Sequence, residues 1–240
     1  KCMVELGGRP LLNWQLACLR QCGLADGIVV VGGYRMDRLE APGALVIPNP
    51  DYASTNMVET LMSARAHIVP GEDLLIAYGD IVYEPRVLRA LLAMDGPAAL
   101  TADREWRRLW AIRMDNPLSD AETFRLRADG TIAELGRKPR GYDEVQGQYM
   151  GLIRIRGDRV GALLGHYDAL DRDATYEGRG FRNMFMTSFL QSLIDAGWPV
   201  HACLVDNGWV EIDTADELER YRAMHADGSL AAFCDLRTVE

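Results

Sequence analysis

Lysine is almost missing from this chain. Of its 26 basic residues, all but Lys1 and Lys138 are arginine. A lysine ammonium is a compact point charge that suits a phosphate, so two lysines in an arginine-rich chain are candidates for one. Cysteine is also scarce. There are five, at positions 2, 18, 22, 203 and 234, an odd number with no CxxC pair. That pattern excludes a disulfide framework and predicts buried free thiols in a reducing, cytoplasmic compartment. Cys18 and Cys22, one helical turn apart, would supply only half of a zinc site. No apolar run is long enough to span a bilayer, so membrane insertion is not expected. The opening "KCMVELGGRP" carries no apolar signal-peptide core. A surplus of positive charge is lacking as well: the formal net charge is −9. Such a surface repels nucleic-acid backbones, which excludes general nucleic-acid binding. A small anionic substrate stays open where basic residues gather, at 103–113 and 134–140.

What is present is an ordinary globular composition, 48% hydrophobic and 25% charged over 240 residues, which fits a single domain. Strand and helix patterns alternate. The spacing of Leu11, Leu12, Leu16 and Leu19 predicts a helix over 10–22, with Pro10 in its first turn. "GIVVVGG" (27–33) and "ALVIPN" (44–49) read as buried strands. Residues 54–68 read as a helix, 73–80 as a strand, 85–94 as a helix and 97–103 as a strand. Apolar strands alternating with helices indicate an α/β fold with a mixed, mainly parallel central sheet. After residue 104 the pattern changes. "LWAIRM", "ETFRLR" and "TIAELG", split by turn-forming stretches, predict an antiparallel insertion over 104–150. A strand (147–157), two helices (158–167 and 182–197) and two strands (199–206 and 208–212) follow. The last helix is 214–226, opened by a Thr214–Glu217 capping box.

"LLIAYGDIVYEP" (74–85) is a core strand that ends on a carboxylate. Ligands collect at the carboxyl ends of strands in open α/β sheets. Asp80 lies at such an end, and so does Asp213 in "WVEIDTADE". Two carboxylates placed there could share a divalent cation, and Mg²⁺ favours one or two carboxylates with water and phosphate oxygens. The plainer alternative is that Asp80 starts a turn and Asp213 favours the dipole of the following helix. Thr55 and Asn56 could read a base edge, or cap the helix that follows them. Trp106, Trp110, Tyr149 and Trp209 could surround an ammonium group through cation–π attraction, or fill the core.

Taken in order, "NPDYASTNMVETLMSA", "YGDIVYE", "DNPLSDAET", "GRKP", "GQYMGLIRI", "TSFLQSLIDAG" and "WVEIDTADEL" resemble the nucleotidyltransferases of the GT-A-like fold, in particular the phosphocholine cytidylyltransferase branch. The resemblance covers 1–226. It implies a Rossmann-like three-layer sandwich and a reaction of CTP with a small phosphorylated acceptor that releases pyrophosphate. It implies Mg²⁺ on Asp80 and Asp213. It gives catalytic roles to Lys1, on the triphosphate, and to Lys138, on the acceptor phosphate. Lys1, Thr55, Asn56, Tyr78 and Gly79 would bind the nucleotide. Trp110, Lys138, Tyr149, Gly151, Trp209 and Glu211 would bind the acceptor. Arg137 stands where the family carries glutamate. The family's opening strand and G-x-G-x-R loop are expected upstream of Lys1. Phosphocholine or 2-aminoethylphosphonate would suit the aromatic residues, with Glu211 as counter-charge. A sugar 1-phosphate would need hydroxyl-binding groups, for which Gln148 and Asn183 are candidates. An amino-acid phosphate could place its carboxylate on Arg104, Arg107, Arg108 and Arg113. A non-catalytic nucleotide-binding domain of the same fold is the reading from a different class. A homodimer is compatible with all of these.

Overall fold

The computed structural model describes residues 1–240. The chain opens with a short hairpin, β1 (Glu5–Leu6) and β2 (Arg9–Pro10), then helix α1 (Leu11–Gln21) and strands β3 (Val29–Gly32) and β4 (Leu45–Pro48). Helix α2 (Met57–Ser63), strands β5 (Leu74–Ala77) and β6 (Ile81–Tyr83), helix α3 (Pro85–Leu92) and strand β7 (Ala98–Asp103) follow. Next come helix α4 (Trp106–Arg113), the hairpin β8 (Phe124–Leu126) and β9 (Ile132–Leu135), and the long strand β10 (Gln148–Ile155). Helix α5 (Gly157–Ala169), the short pair β11 (Thr175–Tyr176) and β12 (Arg179–Gly180), and helix α6 (Met186–Asp195) lead to β13 (Val200–Val205) and β14 (Trp209–Glu211). Helix α7 (Ala215–Asp227) is the last long element.

Four strands form the central sheet in the order β13-β7-β10-β5. β13 runs parallel to β7, and β10 lies antiparallel to both β7 and β5. Three of the four strands therefore share one direction, in a mixed sheet. Every residue of β7 is buried, as befits a strand covered on both faces. Its side chains alternate between two cores, Ala99 in one and Ala98, Leu100 and Ala102 in the other. The first core takes Leu11, Trp14, Leu88, Trp110 and Tyr221 from α1, α3, α4 and α7. The second takes Val58, Leu163 and Phe189 from α2, α5 and α6. Helices thus cover both faces, giving the expected three layers. No helix is long and apolar enough to cross a membrane.

Two segments differ from the sequence reading. "LWAIRM" is not a strand: Trp106–Arg113 is helical, because Trp106, Leu109, Trp110 and Arg113 recur at helical spacing and are all buried. The antiparallel part of 104–150 is thus the β8–β9 hairpin alone. The helix expected over 54–68 is confined to α2, with a separate 3₁₀ turn at Arg65–His67. In addition, β3 pairs only with β4, and β5 only with β10. Each leaves one edge without a partner, and the apolar side chains of Val29–Val31 and Leu74–Ile76 are only half-buried.

One glycine sets how the sheet meets the site. The β10–β7 register slips between Tyr149 and Ile153. Gly151 sits inside that irregularity at φ +78°, and a Cβ there would lie 2.5 Å from the Tyr78 ring. Tyr78 donates its backbone N–H to the Gly151 carbonyl at 2.9 Å, so the two cannot separate cheaply. Gly151→Ala is expected to lower the unfolding free energy by about 1–3 kcal/mol, measured by urea denaturation, through the left-handed backbone and the clash together.

Candidate active site

Backbone register brings the two acidic strand ends together. β14 pairs antiparallel with β6, matching Glu211 with Ile81. The ladder extends one step, as Ile212 N–H donates to the Asp80 carbonyl at 3.0 Å. Asp80 and Asp213 therefore face each other across a strand junction although they lie far apart in sequence. Lys1 Nζ stands between them, 2.6 Å from Asp213 Oδ1 and 3.6 Å from Asp80 Oδ2. Sharing one nitrogen, these oxygens lie within about 6 Å of each other, the sum of the two contacts.

Asp213 is held from behind. Glu217 completes the capping box of α7, accepting from the Asp213 and Thr214 N–H groups at 2.7 and 3.1 Å. Arg113 reaches in from α4 with its side chain 1% exposed. Its guanidinium donates to Glu211, Asp213 and Glu217 at 2.9, 2.7 and 2.9 Å, and lies 4.5 Å over the Trp110 ring. Burial raises the Asp213 carboxyl, but the Lys1 ammonium and Arg113 outweigh it and hold the group below its ordinary value. At Asp80 burial wins over Lys1, and the neighbouring Asp213 adds to it, so that carboxyl is raised.

Beside this pair opens a cavity of about 180 Å³. Tyr78, Trp110, Tyr149 and Phe185 give it aromatic walls, and Asp120, Glu122, Glu211 and Asp213 line it with acid. The Tyr78 and Tyr149 rings meet edge to face at 5.8 Å. No basic side chain lines it. Burial first, and Asp120 beside it second, push the Glu122 carboxyl up to about 7, with Lys138 opposing.

The structure therefore gathers Lys1, Asp80 and Asp213 at one point and sets Tyr78, Trp110, Tyr149, Gly151 and Glu211 on the adjoining wall, with Gln148 among them. Gly79 leads into the pair; a Cβ added there would lie 3.4 Å from the Cys2 Cβ. Others fall elsewhere. Trp209 does not line the cavity: it is buried behind Trp110, ring centroids 6.0 Å apart, with its N–H on Asp103 Oδ2 at 3.0 Å. Trp106 is core too, its N–H on the Val145 carbonyl at 3.3 Å. The Lys138 ammonium is exposed and donates to the Leu118 and Ser119 carbonyls. Thr55 donates to the Asp51 carbonyl at 2.9 Å, and Asn56 caps α2 while donating to the Asn183 carbonyl at 3.3 Å. The four arginines do not converge on a common carboxylate site. Arg104 forks onto Asp206, Arg107 and Arg108 lie over Tyr142 and Phe233, and Arg113 is taken up by its three acids. Sequence reasoning missed Asp120, Glu122, Phe185 and Thr187. The alternating acids of "SDAET", ahead of a strand, were the one available signal for the first two.

Residues 1–193 match the family model of the MobA-like NTP transferase domain. A CTP:phosphoglutamine cytidylyltransferase of Campylobacter jejuni is 36% identical over 91% of this chain and 89% of its own length. A CMP-5'-(3-aminopropyl)phosphonate synthase of Streptomyces rubellomurinus is 31% identical over 45% of this chain and 18% of its own. Among solved structures, an inositol-1-phosphate CTP transferase from T. maritima superposes with a TM-score of 0.69 at 16% identity, over 94% of this chain and 86% of that one. A Bacillus anthracis structure described as a glucose-1-phosphate thymidylyltransferase gives 0.68 at 13% identity, over 95% and 87%. At these identities the two structures speak for the fold.

Glu122 offers a pH test. Its folded-state value is raised from 4.5 to about 7, so its stabilising contribution is complete below pH 4.5 and is lost as pH rises through about 7. Glu122→Gln removes that loss. The variant is expected to be more stable than the native chain near pH 8 by on the order of 1–3 kcal/mol, the gap closing as the pH falls towards that of a free carboxyl. Urea denaturation across that range measures it, and equal stability near pH 8 contradicts the burial.

Proposed function

The chain belongs to the MobA-like NTP transferase domain family and is a nucleotidyltransferase; we propose that it transfers the cytidylyl group of CTP to a small phosphorylated or phosphonylated acceptor carrying an amine. The observation that carries this reading is the convergence of Asp80 and Asp213 on a single cationic group at the edge of an aromatic, acidic cavity. The two relatives add direction, since one is named for phosphoglutamine and the other for an aminopropylphosphonate. A sugar phosphate is less well served, because the wall presents aromatic rings and carboxylates in place of a hydroxyl-binding set. A purely non-catalytic domain would leave the paired acids beside the cavity without a task.

An oxygen of the acceptor's phosphate or phosphonate attacks the α-phosphorus of CTP in line. The bond to the bridging oxygen breaks, and pyrophosphate leaves with that electron pair. The nucleophile is already anionic, so no general base is needed. The barrier lies in bringing several anions together and holding them aligned. Asp80 and Asp213 fit a divalent cation by donor type and by their approach to one ammonium, and would hold Mg²⁺. When bound there, the ion supplies neutralising charge and polarises phosphoryl oxygens. Lys1, whose pairing is half-exposed and therefore weak, can leave the aspartates for the triphosphate. Lys138, at the outer rim, is assigned to the acceptor phosphate. Thr55 and Asn56 are assigned to the base side, next to Met57 on the cavity wall. The five free thiols agree with a reducing, cytoplasmic setting.

The reading is tested by pyrophosphate release from CTP with Mg²⁺ and a panel of acceptors that includes phosphoglutamine, 2-aminoethylphosphonate and phosphocholine. Asp80→Asn and Asp213→Asn are each expected to lower kcat at least about 100-fold. CTP-dependent release that survives both substitutions, or no release with any acceptor, contradicts it.

A further inference from the structure

We infer that Glu122 and Gln148 form a subsite for a primary ammonium group of the acceptor, made of hydrogen-bond acceptors that a quaternary ammonium cannot satisfy. The inference rests on the cytidylyl-transfer reading and deepens it, by assigning the residues that select the substrate class.

The argument starts from which acids on the cavity wall are already neutralised. Glu211 and Asp213 are both ion-paired to Arg113, and Asp213 is also paired to Lys1. Glu122 makes no ion pair. Burial first, and Asp120 second, raise its carboxyl against the opposing charge of Lys138. A half-buried carboxylate with no ion-pair partner is stabilised by a cation that enters, most strongly by one that also donates hydrogen bonds.

A second observation is independent of charge. Gln148, 6% exposed at the start of β10, carries a buried side-chain carbonyl oxygen with no hydrogen-bond partner. Leaving such an acceptor unmet is expensive, and a ligand N–H would meet it. The Trp110 and Tyr149 rings share that wall and add a cation–π surface. The aromatic walls alone would accept a trimethylammonium group equally well. Glu122 and Gln148 are what separate the two, because a trimethylammonium group has no N–H to give and would hold water away from both. The same wall argues about orientation. With Asp120 and Glu122 outside any ion pair and no basic side chain lining the cavity, a free carboxylate on the acceptor is repelled. An amino-acid acceptor would therefore enter amine first, with its carboxylate outside.

The test compares 2-aminoethylphosphonate, its N,N,N-trimethyl analogue and ethylphosphonate. Each is titrated calorimetrically into the full chain with a CTP analogue that carries a methylene bridge between the α- and β-phosphorus. The primary amine is expected to bind roughly tenfold or more tightly than either analogue, as for sites built to bond a substrate N–H. Glu122→Gln and Gln148→Leu should each bring that ratio down to about twofold or less. The ratio is internal to each protein, so partial unfolding does not imitate its loss. A native ratio near one, an unchanged ratio in both variants, or binding of none of the three overturns the subsite. Pyrophosphate release from CTP, measured in parallel, separates the two claims. Release with no amine preference refutes the subsite alone, and an amine preference without release refutes the transfer reading alone.

Discussion

A single buried guanidinium makes this site foldable. Asp80 and three carboxylates of one short stretch, Glu211, Asp213 and Glu217, meet where β14 runs into α7. Their mutual repulsion in a partly dry setting would open the junction. Arg113 reaches three of them with separate N–H groups, which is the use its planar fork allows and a lysine's does not. Removing one partner from such a buried cluster typically costs about 3–5 kcal/mol, and without Arg113 the Glu211 and Glu217 carboxylates lose their ion-pair partner while Asp213 keeps only Lys1. Asp80 makes no ion pair with Arg113 and has only the more exposed Lys1; burial raises its carboxyl, as it does that of Glu211.

This dependence explains why α4 has to be a helix. Helical spacing puts Trp110 and Arg113 on one face, so one residue walls the cavity while the other, stacked on it, anchors the acids behind. In an extended strand, residues three apart point to opposite sides and the two roles could not be joined. The same economy of placement holds in the sheet. The irregularity at Gly151 lets Tyr78 close against β10, which seats Tyr78 and Tyr149 together on the wall, and Tyr78 stands two residues before Asp80. The acidic pair and the aromatic wall are therefore positioned by the same few backbone contacts.

Local patterns were readable in the sequence and long-range pairings were not. Apolar runs and turn residues located β3, β5, β7 and β13, and the Thr214–Glu217 spacing announced the cap of α7, because those signals arise within a few residues. Asp80 and Asp213 could be singled out because the carboxyl end of a strand is a position with chemical meaning. "LWAIRM" misled because an apolar hexamer fits either period, and only the partners of Trp106 and Arg113 decide between them. Trp209 misled for a related reason: its indole N–H belongs to Asp103, a partner more than a hundred residues away. The arginines expected to gather a carboxylate were each committed to distant acids or rings. Glu122 is the reverse case. Its interest is that it has no counter-ion, and a missing partner leaves no trace in a sequence.

The division of labour between the two basic side chains follows from the same contacts. Apart from the two pairs of Lys1, the long-range ion pairs all use arginine, as in Arg65–Asp168, Arg104–Asp206, Arg113–Asp213 and Arg182–Asp51. Lysine appears in ion pairs only at Asp80 and Asp213, where the ammonium is half-exposed. Arg65 and Arg104 each hold their partner with two oriented bonds, and Arg113 spreads its N–H groups over three acids. An ammonium is a point charge on a flexible stem, held by little more than proximity to the acids. On the proposed function, Lys1 is the second kind of cation, proposed to screen two carboxylates while no ligand is bound and to move to phosphate oxygens when a triphosphate arrives. A fold that spends arginine on its frame and keeps lysine for the mouth of the cavity has separated the charges that must stay from the charges that must move.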